Sequence, residues 1–113
     1  MVVAGGGAGG SITECDGSGG GGGGGVSQGS MEIEPDGSTF YELQVGAGGN
    51  ETTRQGENGY DSIFGDHQVY GGGSGGACGD NNGKDGGSGG GAGYKSTQGH
   101  TTRHSFEFLL SIF

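Results

Sequence analysis

The sequence predicts an irregular, mainly β domain in which polyglycine II helices pack around a short β-hairpin, with essentially no α-helix. Three observations lead there. Glycine supplies 35 of the 113 residues. Two short stretches between the glycine runs carry the period-two patterning and turn residues of strands. No stretch of the glycine-rich part shows apolar residues at helical spacing.

The glycine falls in two zones, Gly5 to Gly29, interrupted by "SITECD", and Gly71 to Gly93. Glycine loses more conformational freedom on folding than any other residue, so such runs invite a linker reading. A linker has no reason to hold patterned segments between its runs, and strict G-X-Y with abundant proline, the collagen pattern, is absent. An ordered alternative exists. Extended glycine forms a left-handed helix of three residues per turn without internal hydrogen bonds. Every N–H stays available to bond a neighbouring helix, and without Cβ atoms the chains approach closely enough for Cα–H···O contacts. In "GKDGGSGG" and the residues after it, Gly83, Gly86 and Gly89 fall on one row spaced by three, and Gly87, Gly90 and Gly93 on another.

Between the zones, "MEIEPDGSTFYELQV" (31–45) predicts a β-hairpin. Met31 and Ile33 alternate with Glu32 and Glu34, while Tyr41, Leu43 and Val45 alternate with Glu42 and Gln44. Pro35-Asp36-Gly37 supplies turn chemistry. In "NGYDSIFGDHQVYGGG", Asn58-Gly59 marks a turn, Ile63 and Phe64 are core candidates, and Gln68 to Tyr70 suit a short strand. The expected apolar cluster is Ile33, Tyr41, Leu43, Val45, Ile63 and Phe64.

Composition limits the function classes. Hydrophobic residues are 27% and there is no Trp, so a side-chain core is thin. A net charge of −9 with four Lys and Arg argues against a nucleic-acid partner. The closing "SFEFLLSIF" is too short to span a bilayer, so no membrane insertion is expected. "MVVAGGG" lacks the basic and apolar regions of a secretory signal. That leaves a cytosolic chain, export without a signal, assembly into a particle, or a fragment of a longer protein. Cys15 and Cys78 form either a disulfide or two free thiols. Bridged, they would close a loop of about 64 residues, worth roughly 4 kcal/mol by chain entropy.

Chemistry finds no support. Gly83-Lys84 is followed by Asp85 and lacks the upstream glycine of a phosphate loop. In Asp80 to Gly86, Lys84 stands where a calcium ligand would be, and no Glu closes the loop. His100 and His104 would share a face only on a helix that Thr101 and Thr102 disfavour. Neither cysteine has the surroundings of an activated nucleophile. The expectation is no enzyme, no cofactor and no metal. Asn50-Glu51-Thr52 is a glycosylation sequon, of consequence only in a eukaryotic secretory pathway. Tyr60, Asp61, Asn81, Asn82 and Tyr94 are candidate ligand-contact residues on loops between glycine stretches.

The order of motifs resembles a recurring glycine-rich domain of phage tail fibres, adhesins and other surface proteins. The matching residues are Val2 to Gly7, Pro35 to Gly37, Leu43 to Gly49 and Gly59 to Gly65, within a span of about residues 2–93. The resemblance implies a non-enzymatic structural and adhesion module, extracellular or on a virion surface. Its loops would touch a host-surface receptor, carbohydrate or protein, or other fibre subunits. Alternatives are an extracellular glycine-rich domain of a eukaryotic-type receptor, an ice-binding protein, and a disordered glycine-rich linker. Residues 1–99 are expected to form the glycine-rich polyglycine II domain. Residues 100–113 are expected to be a C-terminal tail that departs from the pattern, a truncated or a non-native end.

Overall fold

The computed structural model describes residues 1–11, 17–78 and 82–93. Among them there is no α-helix. Five short strands occur: β1 (Val2–Val3), β2 (Val26–Ser27), β3 (Leu43–Gln44), β4 (Ser62–Phe64) and β5 (His67–Val69). β1 and β2 pair antiparallel, and β3, β4 and β5 form a second antiparallel sheet in that order. Most of the described chain lies outside these strands, in laterally bonded extended glycine-rich segments and in the loops that join them.

The hydrogen bonds between segments recur every third residue, as a helix of three residues per turn requires. Amides of Ala4, Gly7 and Gly10 donate to the carbonyls of Gly25, Gly22 and Gly19. The next row, Gly5, Ala8 and Ser11, donates to Tyr60, Glu57 and Arg54. The third row, Val3, Gly6 and Gly9, is exposed. Two faces of one helix therefore serve different neighbours, and the third meets solvent. The partner segments run antiparallel to the first, since rising donor numbers meet falling acceptor numbers.

Residues 70–77 lie at the centre, and every residue from 71 to 77 is buried. Gly72 and Gly75 donate to Gly5 and Ala8, while Gly73 and Gly76 donate to Ser88 and Gly91. The carbonyls of Tyr70, Gly73 and Gly76 accept from Gly25, Gly22 and Gly19, and that of Ser74 accepts from Lys84. Glycine is required because the neighbours arrive at backbone distance. A Cβ on Gly73 would lie 1.8 Å from the carbonyl oxygen of Lys84, and one on Gly75 1.9 Å from that of Gly19. The Cα hydrogen in that direction points at the oxygen instead, the Cα–H···O geometry expected of packed polyglycine. Among the described residues the buried hydrophobic ones are Ala4, Val69 and Ala77, so their interior is mostly main chain.

The row Gly87, Gly90 and Gly93 faces this centre as the spacing predicts. Their Cβ positions would meet the amide nitrogen of Gly25 and the carbonyl oxygens of Ser74 and Ala77 at 2.2, 1.9 and 1.9 Å. The row Gly83, Gly86, Gly89 is not one straight helix. Lys84 bonds antiparallel to the centre, whereas Ser88 and Gly91 accept from it in parallel, so the chain turns between them.

The hairpin forms, but elsewhere. It is β4–β5, residues 62–69, turned by Gly65-Asp66 with Gly65 at φ 59°. In the expected hairpin 31–45 only Leu43–Gln44 is a strand, and it pairs with Phe64 and Ile63. The Pro35-Asp36-Gly37 turn is present, with Gly37 at φ 70°, and opens a wide loop instead. The expected apolar cluster is likewise corrected. Ile33, Leu43 and Val45 are 55%, 71% and 81% exposed. Tyr41, Ile63 and Phe64 are half-buried, with Tyr41 stacked on Phe64 at 6.3 Å between ring centres. A bundle cemented by backbone leaves no interior volume for large side chains, which collect at one end.

Candidate functional site

That end is built on Asn58 to Gly65. Asn58 and Asp61 do what a neighbouring main chain does elsewhere. Ser74 N–H donates to Asn58 Oδ1 at 2.9 Å, and Gly71 N–H donates to Asp61 Oδ1 at 2.8 Å. These two amides belong to the row of the central segment that meets no main-chain acceptor, so two side chains complete it. Asp61 Oδ2 also accepts from Gln68 Nε2 at 2.6 Å, and its carbonyl accepts from Gln44 Nε2 at 3.2 Å.

Ser62, 2% exposed, joins the two sheets. Its hydroxyl donates to the Val3 carbonyl at 2.7 Å and accepts from Gly46 N–H at 2.8 Å. A buried hydroxyl between two backbone groups replaces a bond that the separation of the segments forbids. It also fixes Val3 of β1 beside β3 and β4.

The result is an open groove of about 300 Å³ whose apolar walls are Met1, Val3, Leu43, Val45, Ile63 and Phe64. A smaller recess of about 140 Å³ continues it past Met31 and Ile33. The bordering segment 31–42 carries Glu32, Glu34, Asp36 and Glu42 and no Lys or Arg. Its tip is held by Asp36. The Oδ2 atom accepts from the Thr39 hydroxyl at 2.6 Å, and Oδ1 accepts from the amides of Ser38 and Thr39 at 2.9 and 2.8 Å. Led by the Thr39 hydroxyl, these bonds lower the carboxyl from 3.8 to about 2. Glu34 N–H donates to the Tyr41 hydroxyl across the loop at 2.9 Å.

The residues expected to contact a ligand do not come together. Tyr60, 53% exposed, is beside the apolar end. Asp61 is next to it, but its carboxylate serves the interior. Asn82 sits at the opposite end, where its carbonyl accepts from Gln55 Nε2 at 2.5 Å. Asn81 and Tyr94 lie outside the described residues. Cys78 is disulfide-bonded, and the chain's other cysteine, Cys15, lies outside the described residues. Sequence reasoning missed the apolar end, because the alternation of Leu43 and Val45 with polar neighbours reads as a buried strand face. It also missed the joining roles of Asn58 and Ser62.

No group of three or more metal-ligating side chains occurs among the described residues. Neither a curated protein nor a solved structure matches the chain. A family model described as a glycine-rich domain matches residues 1–106. Within that span the stretch Gly59 to Gly65 is built into the fold: Gly59 fits under the Gly5 carbonyl at a 2.0 Å Cβ distance, Ser62 joins the sheets, Phe64 stacks on Tyr41, and Gly65 turns the hairpin. The chain belongs to the glycine-rich domain family.

Proposed function

We propose that the protein is a non-enzymatic structural and adhesion module of a surface assembly, extracellular or on a virion. Its polyglycine bundle is a stiff support that presents the apolar end to a receptor on another surface, or to a fellow subunit of a fibre. The observation that carries this reading is the placement of the large side chains. Val3, Val26, Leu43 and Val45 are all at least 46% exposed, on or next to strands fixed by main-chain bonds and by Ser62. Exposed apolar clusters of this kind mark contact surfaces. A site held on rigid elements also forfeits little ordering entropy on binding.

The phage-fibre setting comes from the motif resemblance and fits an acidic, core-poor chain. The proposal includes no nucleic-acid partner, no membrane insertion and no cofactor. The test is binding of the purified chain to intact bacterial cells and to their isolated surface polysaccharide and protein. The comparison is a Leu43→Ser/Val45→Ser variant, whose changes are at exposed positions. Saturable binding weakened about tenfold or more by the double change supports the reading. A folded chain that binds none of these surfaces, or a variant that binds equally, overturns it.

A further inference from the structure

We infer that the groove of the apolar end is a docking site for the chain's own C-terminal segment, residues 100–113. That segment lies outside the described residues. The inference concerns the same surface as the adhesion reading but does not depend on it, and it names an occupant present before any receptor arrives.

Chemistry selects the occupant. The groove needs apolar side chains to cover Leu43 and Val45, and the segment 31–42, which lines the adjoining recess through Met31 and Ile33 and carries Glu32, Glu34, Asp36 and Glu42, needs positive charge. A second copy offering the same end would set acid against acid. Residues 100–113 offer the complement: His100, Arg103 and His104 lead, then Phe106, Phe108, Leu110 and Ile112 alternate along the chain. Of the four Lys and Arg in the protein, Arg103 is the one inside this segment, and Glu107 is its single acid.

Geometry permits the contact. Gly93, the last described residue, packs on Ala77 at the far end of the central segment. From there to the apolar end is about 22 Å at 3.1 Å per residue. Residues 94–105 span up to about 40 Å when extended. In the order β3-β4-β5, β3 is an edge strand beside the groove. A period-two segment matches such an edge. Strand addition supplies main-chain bonds while alternate side chains enter the groove.

The experiment uses the full chain with Phe108→Trp, the only Trp it would contain. The expected result is blue-shifted emission, protected from acrylamide and independent of protein concentration. Adding Val45→Glu, at a position 81% exposed and so without cost to the bundle, should return the emission to its solvent position. Arg103→Glu should shift it partway, and Glu42→Lys in the same chain should restore it. The same series with Phe106→Trp guards against a disturbance peculiar to position 108. Solvent-like emission in both Trp variants, or emission unmoved by Val45→Glu, overturns the inference. So does a shift that grows with concentration, which would place the segment on another copy. No receptor is present in these measurements, so their failure and failure of the adhesion reading are separate results.

Discussion

The central segment 70–77 and the loop 31–42 invert the usual relation between side-chain size and burial. Beyond Tyr70 the first has nothing larger than Ser74, Ala77 and glycine, yet residues 71–77 are all buried. The second carries Met31, Ile33, Phe40 and Tyr41, yet Phe40 is 94% and Ile33 55% exposed. Order in the first comes from amides and carbonyls spaced by three and answered on several sides. Order in the second comes from a local turn and two tethers, Tyr41 on Phe64 and Gly65 N–H on the Glu42 carbonyl. In a backbone-cemented bundle, stability and recognition are thus divided between different kinds of residue, and the two are separable by substitution.

The largest effect expected is at the centre. Gly73→Ala places a methyl carbon where the Lys84 carbonyl oxygen already is, 1.8 Å away, and backbone is on both sides of the clash. Relief requires the 83–86 stretch to move off and forfeit the Lys84-to-Ser74 bond, so more than about 3 kcal/mol of stability should vanish. Urea unfolding followed by amide signals checks it. A midpoint within error of the parent would show that the segments are not packed as described.

Second in size is Ser62→Ala. It strands the Val3 carbonyl and the Gly46 amide, both of which rely on one hydroxyl. An unsatisfied buried group costs about 1–3 kcal/mol, and two share this site. The same denaturation series should show a loss in that range, and amide exchange should quicken first at Gly46.

How much of this division was legible beforehand depends on whether the signal is local. The Gly87, Gly90, Gly93 row was, since spacing by three within one segment already implies one packed face. The turn chemistry at Pro35 to Gly37 was local too, and so were the motif residues Ser62, Phe64 and Gly65. What spacing does not carry is which glycine segment lies in the middle, because lateral bonds join residues as far apart as Gly5 and Gly72. Without that arrangement, Asn58 reads as half of an Asn-Gly turn and Asp61 as a loop decoration. Leu43 and Val45 read as core for a related reason: period-two alternation implies a buried face only where something large stands opposite it. Opposite these residues lies an open groove, and they stay 71% and 81% exposed.

The Asp36 tip provides a third, smaller test, read as a pH dependence. Its carboxyl is lowered from 3.8 to about 2 by the Thr39 hydroxyl and the Ser38 and Thr39 amides. A depressed folded-state value means that the turn's extra stability is fully present above pH 3.8 and lost as pH falls through about 2. The Thr39 amide resonance should titrate with that midpoint, while amides of Gly72 and Gly75 stay unmoved. A midpoint near 3.8 would mean the three bonds are not held in solution.

Gly20→Ala is expected to be smaller still and of opposite sign. No atom lies within 4 Å of a Cβ at this position, and its φ is not in the left-handed range. Alanine there restricts the unfolded chain more than it burdens the folded one, so the variant should be more stable by about 0.4–1 kcal/mol. Set beside Gly73→Ala, it separates glycine required by a neighbour from glycine that is merely tolerated.

The smallest stability effect should come from Val45→Ser, and it isolates the other half of the comparison. At 81% exposure the isopropyl group contributes little to packing, so the unfolding midpoint should stay within about 0.5 kcal/mol of the parent. In a conventional strand, the same change in an apolar–polar alternation would open a cavity and cost several times more. The apolar contact area of the groove, however, shrinks at a wall that is 81% exposed. Binding through the groove should therefore weaken in the variant, while amide exchange at Gly72, Gly73 and Gly75 stays at the parent rate. A measurable fall in stability would place Val45 in a packed interior and undo the division of labour. An unchanged midpoint with altered surface binding would fix the apolar end as a region retained for contact rather than for folding.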